Sequence, residues 1–354
     1  MEQIAPTRYA EEWDNVGLLA GDPQQAVSKA LLTIDYTPAV ADEARQSRCE
    51  AVIAYHPPIF KALKRIDAGS VIHDAIRRGV AIYSPHTALD VAEGGTNDVL
   101  ADVLPLTDRR PLRRSKSSAA QLKLVTFVPT EQVAAVSTAL FAAGAGHIGK
   151  YSSCGFRSPG TGTFFGEAGT NPTVGASGRL EETPEVRLET VVPQERVEAV
   201  LAALRASHPY EEPAFDLNQL AAPPENIGQG RIGFLQQPTD RREIFERIKR
   251  DLQLDHLLIA GPTEGKIETA AVCAGACGEF LSDAIAGGAQ LYLTGEMRHH
   301  DALRAASAGV TVVCTLHSNS ERLALKRLVQ RLAAALPALE CLLSRSDRDP
   351  FSVV

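Results

Sequence analysis

Ala51-Val52-Ile53-Ala54-Tyr55-His56-Pro57-Pro58-Ile59-Phe60 carries an apolar run into a histidine and two prolines. Four small or branched apolar residues form a short buried strand. Two consecutive prolines, which bring no amide proton to a strand ladder, end it and leave His56 at its carboxyl edge. Upstream, residues 30–35 read as another buried strand and 38–47 as a helix. Downstream, a helix over 70–78 leads to a third strand at 80–84, closed by Pro85-His86. Strands alternating with helices predict an α/β domain with a mainly parallel mixed sheet flanked by helices. Ligands of such sheets gather beyond the carboxyl ends of the strands, which is where His56 and His86 fall.

The same rhythm returns late in the chain. Residues 240–252 read as a helix, 269–273 as a strand, 275–278 as a turn, 279–286 as a helix and 290–295 as a strand, with Glu296 and His299-His300 just beyond. The apolar run Val310-Thr311-Val312-Val313 then precedes Cys314-Thr315-Leu316-His317-Ser318-Asn319-Ser320-Glu321, in which a histidine and a glutamate stand four residues apart, the spacing of one helical face. Between these halves the pattern changes. Strand 122–128 and helix 131–143 lead into a Gly/Ser/Thr/Pro-rich strand region, which is followed by strand 186–192 and helix 194–207. Two strand-then-helix halves predict a small α+β module with an antiparallel sheet. The expected organisation is a core domain split into 1–118 and 225–354, with the module of 121–220 inserted.

At 354 residues, with 44% hydrophobic and 22% charged residues, the composition is that of an ordinary folded protein of about two domains. The net charge of −7 argues against a nucleic-acid binder. The basic run Asp108-Arg109-Arg110-Pro111-Leu112-Arg113-Arg114-Ser115-Lys116 reads as a solvated linker. No apolar run approaches the ~18 residues of a membrane span, and no signal pattern opens the chain, so a cytoplasmic location is expected. The six scattered cysteines fit a reducing compartment, and Cys273-Ala274-Gly275-Ala276-Cys277 reads as a small-residue turn. Trp13 reads as a packing anchor. The glycine-rich residues 160–178 read as a flexible connection. His147, Cys154, His208 and Glu211 are assigned turn and interface roles.

The motifs Ala10-Glu11-Glu12-Trp13-Asp14-Asn15-Val16-Gly17-Leu18, Tyr55-His56-Pro57-Pro58-Ile59-Phe60, His86-Thr87-Ala88-Leu89-Asp90, Gly94-Gly95-Thr96-Asn97-Asp98, Thr294-Gly295-Glu296 with His300-Asp301-Ala302-Leu303, and His317 with Glu321 resemble, in this order, the dinuclear-metal Nif-three-like family. Its members are often labelled GTP cyclohydrolase I type 2 homologs. The middle stretch, with His208-Pro209-Tyr210-Glu211-Glu212-Pro213, is similar to the PII/CutA-like, ferredoxin-like insert of the longer members.

The resemblance implies a toroidal homohexamer with two divalent metal ions per subunit, zinc, iron, manganese or nickel, facing an internal cavity that holds a small-molecule substrate or ligand. Position by position it assigns His56, Asp90, His317 and Glu321 as metal ligands. His86, Glu296 and His300 fall one layer out, where they would fix ligand orientation. Many members have two consecutive histidines where this chain has Tyr55-His56, which implies a weaker second metal position. The expected activity is metal-dependent hydrolysis of a nucleotide-like or phosphorylated small molecule. The competing expectation is a non-catalytic metal-handling or regulatory hexamer whose insert gates the cavity or binds partners.

Overall fold

The apolar runs before and after residue 38 become neighbouring parallel strands. In the computed structural model, which describes residues 1–114, 121–149, 151–220 and 227–353, Lys29–Thr33 lies beside Ala51–Ala54 and this beside Ala81–Ser84, all parallel. These strands are almost wholly buried, as parallel strands covered on both faces must be. Gly17–Ala20 closes one edge antiparallel and Glu340–Leu343 the other in parallel. Between the strands, helix Pro38–Gln46 starts on a Thr37 side chain that accepts the Val40 amide, with proline in its first turn. Helix Val71–Arg78 starts on Ser70 and stops at Gly79, whose φ of 67° is the left-handed cap glycine allows. One face of the sheet packs on these helices; the other packs on Leu325, Leu328 and Leu332 of helix Arg322–Ala335.

A second mixed sheet is ordered Leu258–Ala260, Thr311–Cys314, Leu291–Glu296, Lys266–Ala276, Arg231–Asp240, Thr107–Arg110. Its three central strands are parallel, so their carboxyl ends share one edge. The core thus holds two sheets that exchange strands. Thr107–Arg110 of the first half pairs with Arg231–Asp240, and the late strand Glu340–Leu343 pairs with Lys29–Thr33. Up to Arg114 the basic run is therefore no solvated linker; its last residues, Ser115 and Lys116, lie outside the described residues. Leu112 is buried in the core of the second half. Arg109 Nη1 reaches Asp102 at 2.6 Å and Arg113 Nη2 reaches Asp283 at 2.5 Å, so the charges point out while the backbone stays in the ladder.

The chain divides into two units, Met1–Ser115 with Asn226–Val354, and Lys116–Glu225; the expected boundary residues 118 and 225 lie outside the described residues. In the second unit an antiparallel sheet is ordered Phe215–Gln219, Gln121–Pro129, Leu180–Pro193, Gly155–Phe165. Numbered within the insert this is 4-1-3-2, the ferredoxin-like order, with helices Val133–Ala142 and Val197–Ser207 packed on one side. The glycine-rich region is only in part a connection. Residues 155–165 are paired along their whole length, and a Cβ at Gly162 would displace the Glu185 carboxylate that lies over it. Among the described residues no helix is long and apolar enough to cross a membrane.

Candidate metal centre

The strand register sets the first donors. Thr33 pairs with Ala54, so Asp35 and His56, each two residues further on, stand side by side beyond the carboxyl edge of the first sheet. Asp35 Oδ1 meets His56 Nδ1 at 2.9 Å, which fixes the ring and leaves Nε2 free to face inward. From the second half, Thr311–Cys314 runs into Leu316, whose φ of 69° is unusual for a branched-chain residue and reverses the chain at His317. His317 and Glu321 do not share a helix. They bracket the 3₁₀ turn Ser318–Ser320 before helix Arg322–Ala335, and converge all the same, with His317 Nε2 3.4 Å from Glu321 Oε1.

His56, His317 and Glu321 offer two nitrogens and an oxygen within 4.8 Å of one another. His56 Nε2 and Glu321 Oε2 stand 3.2 Å apart without the alignment of a hydrogen bond, and both are buried atoms with no hydrogen-bond partner. Such orphans are costly unless something else satisfies them. Behind them, a Cβ on Gly275 would lie 3.1 Å from Glu321 Oε1 and 3.5 Å from His317 Nε2, so the backbone there closes the cleft as nearly as it can. The donor set and its orphaned atoms suit a divalent transition ion.

Electrostatics follow the same geometry. Burial alone would lower the His56 pKa, yet Asp35 and Glu321 outweigh it and push it up to about 10. Glu321 raises the His317 pKa against the opposing effect of burial. Burial would raise the Glu321 pKa, but the two imidazoles bring it below its ordinary value. Without an ion, the cluster is a carboxylate held between two imidazoles whose protonated forms it favours.

Asp90 stands to one side of this trio. Its Oδ1 accepts the hydroxyl of the fully buried Tyr55, which also shares a 3.1 Å hydrogen bond with Thr96. Burial raises the Asp90 pKa to about 6, against the lowering effects of His86 and Tyr55. His86, at a φ of 24°, holds Asp14 Oδ1 with Nδ1 at 2.7 Å, and its ring is 5.5 Å from that of His56. Glu296 Oε1 lies 3.4 Å from His317 Nδ1. His300 is exposed against His299 and meets none of these groups through a hydrogen bond or ion pair.

Sequence reasoning passes over several residues of the cleft. Asp35 reads only as the end of a strand, although its position opposite His56 is a signal that parallel pairing supplies. Asn97 receives the Ala274 amide on its side-chain oxygen and donates to the Asp90 carbonyl, tying the two halves together. Trp13 is 61% exposed rather than a packing anchor. It stands 6.0 Å from the half-exposed Phe60 and 6.1 Å from His86, because Asn15 clips its turn to the Ile59 carbonyl.

The sequence profile of Duf34/NIF3, NGG1p interacting factor 3, matches residues 1–350. A Halalkalibacterium halodurans protein named GTP cyclohydrolase 1 type 2 homolog is 36% identical, over 100% of this chain and 96% of its own length. A Bacillus subtilis protein of the same name is 35% identical, over 99% and 96%. The crystal structure of a Bacillus cereus protein related to NIF3 superposes with a TM-score of 0.76 at 35% identity, over 100% of this chain and 96% of that one.

Proposed function

The chain belongs to the Duf34/NIF3 family, and on that premise we propose that it is a metal-dependent hydrolase of a nucleotide-like or phosphorylated small molecule, with His56, His317, Glu321 and Asp90 as the ligands of two divalent ions. The observation that carries this reading is the convergence of His56, His317 and Glu321, whose donor atoms lie within 4.8 Å of one another, with His56 Nε2 and Glu321 Oε2 buried and left without an aligned hydrogen bond. The second position is the weaker, since Tyr55 brings no imidazole and occupies Asp90 Oδ1. Bound ions would supply an acidified water and polarise the electrophile.

The chain's own residues do the rest. Asp35 and Glu296 orient the two imidazoles through their Nδ1 atoms. Asp14 holds His86 Nδ1 and leaves its Nε2 to take a proton from the attacking water. Trp13 and Phe60, exposed at the mouth, offer faces to a planar ring, and Lys61, Lys64 and Arg65, which follow directly, offer charge to a phosphate. The relatives' name points to the same ligand class. Six copies would enclose the cavity; Leu258, Ile259 and Phe351 form an exposed apolar groove of the kind a second copy covers.

The test is purified, metal-quantified protein, sized by light scattering and assayed against GTP and a panel of phosphoesters beside Asp90→Asn and Glu321→Gln. Turnover that both substitutions abolish supports the reading. Turnover that survives both, or full metal occupancy with none, removes the hydrolase. A native mass other than six chains removes the hexamer.

A further inference from the structure

The strand end that closes the cleft behind Glu321 carries two thiols with no assigned role. Cys273 and Cys277 are both buried and unbridged, and their Sγ atoms stand 2.8 Å apart. A disulfide requires ~2.05 Å, so a small approach would join them. Cys277 Sγ is held over the turn by a 2.8 Å hydrogen bond to the Ala274 carbonyl, and the Cys277 carbonyl accepts the Tyr292 hydroxyl at 2.9 Å.

Two of the three residues between the thiols, Ala274 and Gly275, are hydrogen-bonded toward the site. Ala274 donates its amide to Asn97 Oδ1 at 2.9 Å, and Asn97 in turn holds the Asp90 carbonyl. Gly275 donates its amide to Ser320 Oγ at 2.8 Å, and its carbonyl accepts Thr294 Oγ1 at 3.1 Å. Ser320 is the residue before Glu321. Any change in the Cys273–Cys277 turn therefore reaches Glu321 through one hydrogen bond and Asp90 through two.

We propose that Cys273 and Cys277 form a reversible disulfide site, and that its closure loosens the hold of His56, His317 and Glu321 on a metal ion. The second clause rests on the metal reading above; the first does not. The oxidant is a small peroxide able to enter a buried turn. One thiolate attacks a peroxide oxygen, giving a sulfenic acid and water; the second thiol then displaces the hydroxyl as another water. The S–S bond forms, each sulfur loses one electron, and the peroxide's two oxygens are reduced. Closure takes Cys277 Sγ from the Ala274 carbonyl and draws the turn inward against Gly275. The neighbouring Cys273 sulfur and burial both push the Cys277 thiol well above its ordinary value, which slows formation of a thiolate at that position at neutral pH.

The experiment takes full-length protein, freed of metal, through a hydrogen peroxide titration, then denatures it, alkylates it and maps its peptides. The tryptic peptide 267–298 contains both cysteines and no other. The expected result is that this peptide becomes lighter by two hydrogens and refractory to alkylation, and that dithiothreitol restores it. Zinc affinity, measured by chelator competition, should then be about tenfold weaker in the oxidised protein, the scale of disturbing a ligand's supporting contacts. Cys277→Ala, or Cys273→Ser if the first fails to fold, should lose the peroxide response. A peptide that is alkylated normally or only over-oxidised overturns the disulfide. A bridged peptide with unchanged zinc affinity overturns the coupling. Reduced protein that binds no zinc removes the metal reading and leaves the thiol result to decide the disulfide alone.

Discussion

Two His-Pro pairs, one in each unit, look alike in sequence and differ in kind. His56 and His208 each precede a proline and stand near a tyrosine whose hydroxyl donates to a buried or half-buried carboxylate, Tyr55 to Asp90 and Tyr210 to Glu185. Both ring nitrogens of His208 in the insert are satisfied. His208 Nδ1 accepts the Tyr210 amide at 3.1 Å, so Nε2 carries the proton and donates it to the Phe127 carbonyl at 3.0 Å. Burial then lowers the His208 pKa. In the core, His56 is satisfied at Nδ1 alone, and its pKa goes up to about 10. The insert also has an open pocket of about 1000 Å³ bounded in part by Phe127, Glu185 and Tyr210. Both units hold pockets, but among the described residues only the core brings titratable groups together with buried polar atoms that no aligned hydrogen bond satisfies, and that is the better guide to a site.

The largest effects should break that contrast at its source. His56→Ala or Glu321→Gln should reduce zinc affinity by at least ~100-fold, beyond what the loss of a supporting contact costs. His208→Ala should leave the metal content unchanged while destabilising the insert by about 1–3 kcal/mol, the scale of leaving buried partners unpaired. Elemental analysis and chemical denaturation read the two outcomes; metal loss in His208→Ala would end the distinction. Next in size, Asp35→Asn should weaken zinc binding about 10–100-fold while His56 itself remains, because the ring loses the carboxylate that orients it. An unchanged affinity would mean that the Asp35 contact is incidental.

Protons sharpen the comparison further. With His56 protonated up to about pH 10, a metal entering at neutral pH must displace that proton. Affinity should therefore rise about tenfold per pH unit for each proton released. Calorimetry in buffers of different ionisation enthalpy counts the protons. A count of zero would show that His56 is not a ligand.

The parallel alternation of the core and the antiparallel insert are legible in the sequence, since period and punctuation are local properties. Exchange of strands between two sheets is not. Thr107–Arg110 carries arginines that read as linker, and only its partner Arg231–Asp240 makes it a strand. Within the cleft, residues at strand ends are legible because the carboxyl-edge rule needs no partner. Asp35, Asn97 and the Cys273–Cys277 contact are not, because each depends on register or on a turn that joins distant segments. Trp13 misleads for the same reason: a lone tryptophan in a chain looks like core until the Asn15 clip turns it outward.

The smallest expected effect separates the two histidines by sign. For metal-free protein, the raised pKa of His56 means that its contribution to stability is full below its unfolded value near 6.5 and is lost as pH climbs through about 10. His208 has the opposite linkage. Its depressed pKa means that its contribution is present above ~6.5 and is lost as pH falls through the lower folded value, when a second proton must enter a ring whose Nδ1 already accepts the Tyr210 amide. Histidine-selective NMR across the pH range should find His56 titrating on the alkaline side and His208 on the acid side of an ordinary histidine. If the two titrate together, the surroundings of the two His-Pro pairs do not differ in the way that assigns chemistry to one and packing to the other.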